Sequence, residues 1–574
     1  MDRRALRGVA AALPAAGVFL LASRLPCRAA AEDALGVAEE AVQVRPIYLG
    51  PALNFTGPTD AFPNVLASPV AAPLRDLPQI PAPAAAENPR EAAGVPAQSE
   101  AAAVPAAYAA SAVSAEAERT ESLRPAGPRA AELGRLGKIS GRISGWLKPG
   151  ASGDSLAAQS AAEFDAPLAP DDRRFLEDVS RRSFRYFLEQ ADKKTGLVAD
   201  RAPRAGGLGL RKKSGRAASV AATGFGLSAL SVGAKRGWIP RRKALARARK
   251  TLKFLAANAA QERGWFYHFL DARTGARAWN SEVSSIDTAL LLAGAMTAKQ
   301  FFGDAEISRL ADEIYARVDF PWMLNGSPNL LSMGWTPEQG FIPARWDTYS
   351  EHMVLCLLAM GSPTRPIPAS AWDAWARPEV RAGGQAFIAG TAPLFIHQYS
   401  HAYVDFRGKK DRRGLDYFEN SVKATLAQRR VMSELGQDPS GKYAGWSKDI
   451  WGLTSSDDGK GGYAAWGAPP LEGPIDGTVV PSAPGGSLMF TPKESSAALR
   501  AMRKRYPKTY GRYGFADSFH PATGRVNNDV LGIDAGITLL SAANLAGGDV
   551  WESFMKNPEI IRAMKAAGFK TSGR

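Results

Sequence analysis

Two cysteines and five histidines in 574 residues are scarce enough to remove several kinds of protein at once. Cys27 lies near the start and Cys356 in an apolar stretch, so no disulfide framework and no zinc-ligand spacing can be read. There is no phosphate-binding P-loop, no G-x-G-x-x-G dinucleotide fingerprint and no G-x-S-x-G nucleophile elbow. After about residue 23 no run is long and apolar enough to cross a bilayer, so no stable membrane span is expected. Lys and Arg exceed Asp and Glu, 71 to 56, but basic runs such as Arg241-Arg242-Lys243 and Lys409-Lys410-Asp411-Arg412-Arg413 are short and interrupted. No nucleic-acid signature accompanies them, so nucleic acid is not an expected partner. The net +15 reads as a solvated basic surface suited to an anionic envelope.

The first thirty-odd residues have a distinct layout. Asp2-Arg3-Arg4-Ala5-Leu6-Arg7 is followed by an apolar run over 8–23 and an Ala29-Ala30-Ala31 cleavage site. This predicts a secretory signal peptide over 1–31 and a periplasmic or secreted protein. A lipid anchor on Cys27 is disfavoured, because Arg24-Leu25-Pro26 lacks small residues before it. Residues 32–170 are rich in Ala and Pro and poor in aromatics, so they bury too little apolar surface to offset ordering entropy. They predict a disordered tether.

Residues 171–574 carry most of the aromatics, and their apolar residues recur at helical spacing. Helices are predicted over 217–233, 241–257, 284–302, 305–318, 347–360, 417–435, 492–506, 533–546 and 558–567. No series of alternating strands with hairpin turns is seen. The stretch 445–489 is long, irregular and aromatic, which suits an ordered functional loop. Cys356 reads as a buried, inert thiol.

Several residues are equipped for carbohydrate chemistry. Cleaving a glycosidic bond usually needs two carboxyl groups, one protonated and one ionised. Asp347 and Glu351 stand four apart at the start of a predicted helix, flanked by Trp346 and Tyr349, with Arg345 placed to pair with Asp347 or hold a hydroxyl. On spacing alone the blander reading is preferred, with Asp347 capping the helix and Glu351 in solvent. Glu282 precedes an apolar helix that contains Asp287, where a carboxylate needs a partner or a polar cavity. His397-Gln398-Tyr399-Ser400-His401 suits polar substrate contacts or packing better than a metal site, which would need a third ligand. Trp446, Trp451, Asp457, Asp458, Tyr463, Trp466, Glu472 and Asp476 crowd one loop region, a composition suited to sugar rings and their hydroxyls.

Ordered blocks then carry a resemblance. They include Ser281-Glu282-Val283-Ser284-Ser285-Ile286-Asp287-Thr288, Gly334-Trp335-Thr336-Pro337-Glu338 and Ala344-Arg345-Trp346-Asp347-Thr348-Tyr349-Ser350-Glu351. Phe395-Ile396-His397-Gln398-Tyr399-Ser400-His401, Trp451-Gly452-Leu453-Thr454, Asp476-Gly477-Thr478, Gly532-Ile533-Asp534 and Trp551-Glu552-Ser553-Phe554 continue the series. Over roughly 171–569 the chain resembles the glycoamylase-like domain family, similar to bacterial endo-β-1,2-glucanases and the middle part of cyclic β-1,2-glucan synthases. The resemblance implies an all-α (α/α)6 toroid of helical hairpins, an exported glycoside hydrolase acting on a glucan, and no metal or organic cofactor. It implies Glu351 as catalytic acid, with Glu282 and Asp287 shaping or assisting the cleft. Arg345, Trp346, Asp347, Tyr349, His397, Gln398, Tyr399, Trp451, Asp457 and Asp476 are the candidate sugar contacts. Ala535 departs from the family pattern, where Gln is expected, and leaves a non-catalytic glycan-binding protein or a transglycosylase as alternatives.

Overall fold

The computed structural model describes residues 169–206, 217–390, 393–458, 462–467 and 474–571. The expected signal peptide, the expected tether up to residue 168, and Glu472 lie outside the described residues; Pro170, placed at the end of the tether, opens the first helix instead.

The longer helices are α1 (Pro170–Glu189), α2 (Val220–Lys235), α3 (Arg241–Ala257), α4 (Ser285–Phe302), α5 (Ala305–Ala316), α6 (Met353–Gly361), α7 (Tyr417–Leu435), α8 (Pro492–Arg505), α9 (Gly532–Gly547) and α10 (Pro558–Ala566). Along much of the chain, an almost wholly buried helix is followed by an amphipathic one. In α2 every residue from Val220 to Gly233 is buried, and in α4 burial runs from Asp287 to Ala298. In α3 only Ala244, Ala248, Thr251, Leu252 and Leu255 are buried, a single stripe on an otherwise charged helix. The apolar-all-round helices thus form an inner set and the striped ones pack outside it.

Local signals start and stop these helices where the sequence places them. Ser219, Ser284, Asp304 and Asp416 each accept a hydrogen bond from a backbone N–H of the first turn. Gly303 ends α4 in the left-handed conformation, at φ 59°.

Short strands precede three buried helices. Strand β1 (Arg201–Pro203) pairs with β7 (Asp529–Leu531), just before α9. Strand β2 (Ala217–Ser219) pairs with β3 (Phe269–Asp271), just before α2. Strands β4 (Val283–Ser284), β5 (Gly334–Thr336) and β6 (Gly340–Phe341) form a three-stranded sheet that leads into α4. The sequence reading found no such strands, because two- and three-residue pieces are too short to display a period of two.

A second departure concerns 347–360. The helix there begins only at Met353, and Arg345 to Glu351 is extended or turning. Backbone bonds from distant segments hold it: Trp346 N–H reaches Leu331 O, Tyr349 N–H reaches Ala376 O, and Ala376 N–H reaches Asp347 O. Asp347 and Glu351 therefore do not share a helix face.

The helices α2 and α4 cross with their backbones in contact. A Cβ on Gly294 would lie 2.0 Å from Gly224 O, and one on Gly224 would lie 2.4 Å from Leu290 O. Neither neighbour is a flexible side-chain end. Gly294→Ala is expected to destabilise the fold by about 3 kcal/mol or more, the upper range for overpacked cores. Urea unfolding checks this; an unchanged midpoint would show that the two helices separate easily.

Candidate active site

Three carboxyls and one imidazole gather at the entrance to α4. His268, two residues before Leu270 of β3, donates or accepts at both ring nitrogens. Its Nδ1 lies 2.9 Å from Glu282 Oε1 and its Nε2 3.5 Å from Asp287 Oδ1. Burial opposes charging His268, but Asp287 and Glu282 outweigh it and raise the imidazole to about 9. A cation thus sits between two carboxyls at neutral pH. Burial would raise Glu282, yet the His268 charge and hydrogen bond bring it below its ordinary value, so it is ionised. Asp287, at the third position of α4, receives Ser284 Oγ–H at 2.6 Å, and burial keeps it above its ordinary value.

Glu351 comes from the extended segment before α6. Burial pushes its carboxyl up to about 7; the Ser350 hydroxyl, which donates to Oε2, lowers it and the Asp287 charge adds to the rise. The result is a carboxylic acid that keeps its proton close to neutrality beside an ionised glutamate.

A second acid group stands nearby on other elements. Arg201 Nε pairs with Asp200 at 3.1 Å and its Nη1 with Asp457 Oδ2 at 2.8 Å. Asn527 Nδ2 donates to both Asp457 and Asp517. Asp534, at the third position of α9, is raised to about 7 by burial, with the polar groups of Ser482 and Asp517 nearby opposing the rise. Asp517 is raised well above its ordinary value by burial and by the Asp534 and Asp457 charges. Asp534 Oδ2 is buried and has no protein hydrogen-bond partner. Half-buried Tyr399 lies between the two groups: burial raises its hydroxyl, and Asp534, Glu351 and Asp287 add to that rise.

Asp200, Glu282, Asp287, Glu351, Asp457 and Asp534 each retain 8 or 9% of their surface in contact with solvent. These carboxyls are therefore largely buried, each keeping a sliver of contact with solvent.

The structure brings Glu351, Glu282, Asp287, Tyr399 and Asp457 into one neighbourhood. Other sugar-contact candidates are committed elsewhere. Arg345 does not pair with Asp347; its guanidinium donates to the carbonyls of Leu324, Leu330 and Asn325 and ties down a loop. His397 meets the Tyr349 hydroxyl inside the core, where burial lowers its pKa to about 3. Gln398 donates to Ala483 O and Ser487 Oγ. Tyr349 and Trp451 are fully buried, and Trp346 donates from its indole to Ser285 Oγ while stacking on His352. Asp347 and Asp476 are exposed and accept from Thr348 and from the Thr478 backbone. Polar and aromatic composition alone does not separate a residue facing a cleft from one that satisfies a core. Cys356 is buried in α6 and its thiol is raised to about 12 by burial.

His268, Asp200, Arg201, Asp517, Asn527 and Asp534 were given no role from the sequence. A signal for Asp534 was present: Gly532-Ile533-Asp534 repeats the Ser285-Ile286-Asp287 pattern, an Ile-Asp pair in the first turn of a fully apolar helix. Asp457, a partner of Arg201, lies 256 positions away in the chain, and no local pattern marks the pairing.

With this geometry in hand, similarity to known proteins can be placed. Residues 343–558 match the glycoamylase family model, described as "Putative glucoamylase". An exo-β-1,2-glucooligosaccharide sophorohydrolase of Parabacteroides distasonis is 26% identical over 457 residues, covering 72% of this chain. This chain spans 60% of the length of that curated relative. The solved endo-β-1,2-glucanase of Chitinophaga pinensis, in complex with sophorotriose and glucose, is 28% identical with a TM-score of 0.63. That match covers 70% of this chain and 99% of the glucanase. A β-1,2-glucanase structure from Parabacteroides distasonis is 25% identical with a TM-score of 0.63, covering 70% of this chain and 60% of its own. Residues 343–558 thus resemble the glycoamylase family, and the chain is similar in sequence and in fold to hydrolases of β-1,2-glucan.

Proposed function

We propose that the protein is an exported glycoside hydrolase that cleaves β-1,2-glucan, with residues 171–574 forming one (α/α)6 toroid of helical hairpins. The alternation of buried and striped helices supports that arrangement, and the N-terminal layout over 1–31 supports export to the periplasm or beyond. The observation that carries the activity is the split between carboxyls in one cleft: Glu351 protonated to about 7, beside Glu282 held ionised by His268. Environments that push carboxyl pKa values apart assign acid and base roles.

Glu351 donates its proton to the leaving glycosidic oxygen. Glu282 and Asp287, tied to His268, fix the negative charge beside it and stabilise the positive charge that develops on the sugar ring. Asp534, whose charge acts on the Tyr399 hydroxyl together with those of Glu351 and Asp287, takes the proton of the attacking water. His268 is a positioning residue that holds Glu282 and Asp287 through its two ring nitrogens.

The test is incubation of the purified protein with linear β-1,2-glucan and other linear glucans. New reducing ends from the β-1,2-linked chain alone are the expected outcome, with a ladder of short oligomers showing endo cleavage. Product from a different linkage and none from β-1,2-glucan would overturn the substrate; binding without any product would favour a glycan-binding role.

A further inference from the structure

Among the described residues Trp279 is the one large aromatic side chain that is exposed, at 43% of its surface. Its backbone is as unusual as its exposure. Ala278 O accepts from Ser281 N–H, closing a tight turn whose central residues, Trp279 and Asn280, both have positive φ, 55° and 51°. Such turns take Asn and Gly readily, whereas a bulky residue in the left-handed region is strained. Strain of this kind persists where the surroundings hold it in place, and it concentrates at ligand clamps.

The surroundings here are explicit. Arg277 donates to Asn280 O and Ser281 O from within the same loop, forms a two-pronged ion pair with Glu338 and lies 5.0 Å over the Tyr267 ring. The turn is thereby clipped to the hairpin of β5 and β6. The indole in turn packs on Phe269 at 4.9 Å between ring centroids, and Phe269 stacks on His268 at 4.0 Å. His268 holds Glu282 and Asp287. A continuous ladder of rings therefore leads from the acid group out to an exposed indole, one residue beyond Asn280 and Ser281 from Glu282 itself.

We propose that Trp279 is a sugar-stacking platform that binds a glucose unit of the substrate outside the units flanking the cleaved bond, and so sets a preference for longer chains. The proposal rests on the glucan-hydrolase reading. A pyranose presents a face of C–H bonds that packs on an indole, and an indole prevented from folding inward by its turn meets such a face without first rearranging. The basic side of the same loop is spent on the Arg277–Glu338 clip, so recognition here is through ring contact rather than charge.

The experiment compares wild type, Trp279→Ala, Trp279→Phe and Trp279→Gly on β-1,2-linked glucose oligomers of increasing length and on the polymer. For Trp279→Ala, KM on long chains is expected to rise about tenfold with kcat nearly unchanged, the signature of lost uniform binding. Short oligomers that do not reach the turn keep their wild-type constants, and Trp279→Phe restores most of the affinity. Trp279→Gly relaxes the turn, so it is expected to lose the same affinity without lowering Tm, an outcome that a purely structural tryptophan would not give. Equal KM for all variants at every length, in a wild type that cleaves β-1,2-glucan, would overturn the platform alone. A wild type inactive on β-1,2-glucan would overturn the underlying reading and the platform with it.

Discussion

Glu351→Gln is expected to reduce the release of reducing ends by about 10³-fold, within the range that a positioned general acid contributes. Glutamine keeps the size of the side chain and can still meet Ser350, but it has no proton to give. The same substitution has a separate effect on stability. Glu351 has an ordinary value of 4.5 and is raised to about 7 in the fold by burial. Between those values the folded chain holds a proton that the unfolded chain has released, so stability falls as pH rises through this window. Above about 7 the cost of a buried charge is complete, at most about 3 kcal/mol for a shift of this size. Glu351→Gln removes that cost. Its Tm is therefore expected to exceed wild type at pH 8 and to match it near pH 4, while activity near neutral pH stays far below that of wild type. Wild-type rates should fall as pH rises through about 7, when the acid loses its proton. Full activity in the glutamine variant would remove Glu351 from the chemistry; lost activity with a lower Tm at pH 8 would point to a folding defect instead.

Asp534→Asn is expected to be comparably severe, again about 10³-fold, the span for a general base. Asp534 must be ionised to take a proton from water, and its carboxyl titrates together with that of Asp517, because two buried acids in contact share their protons. The rate of the wild type should therefore fall on the acid side as this pair gains a proton, opposite in sense to the loss caused by Glu351 on the alkaline side. A bell-shaped profile with both limbs close to neutral pH is the result. A base that activates water, rather than bonding to the sugar, delivers product with inverted anomeric configuration. Proton NMR of the first product formed decides this. Retained configuration, or an Asp534→Asn variant with wild-type rates, would assign the second carboxyl elsewhere, with Asp287 next to test.

The helices were legible because each carries its own instructions. The spans Arg241–Ala257 and Tyr417–Leu435 follow from an apolar stripe or an apolar run bounded by caps and breakers within a few residues. Glu282, Asp287 and Glu351 were legible as a set only through the order of surrounding blocks, since their spacing gives no hint that one histidine joins two of them. The segment from Asp347 to Glu351 was misread as helix because the bonds that straighten it run to and from Ala376, and such bonds leave no local trace. His397, Gln398 and Trp451 were taken for the cleft by their chemistry, but they satisfy the interior: a histidine on a buried tyrosine, an amide between two segments, and an indole under the loop. Ala535, the departure that raised doubt about catalysis, is buried against the core beside Asp534.

The close crossing of α2 on α4 has a consequence for how this domain tolerates change. Asp287 sits in the first turn of α4, and the strand before α2 pairs with the strand that follows His268. Main-chain atoms, not adjustable side chains, set the separation of those two helices. Substitutions in the surrounding apolar layers can therefore soften or stiffen the molecule without retuning the charge arrangement in the cleft. The rim, by contrast, is carried on turns such as Trp279-Asn280. A protein built this way can be redirected towards chains of another length by exchanging its rim turns, with the chemistry inherited intact.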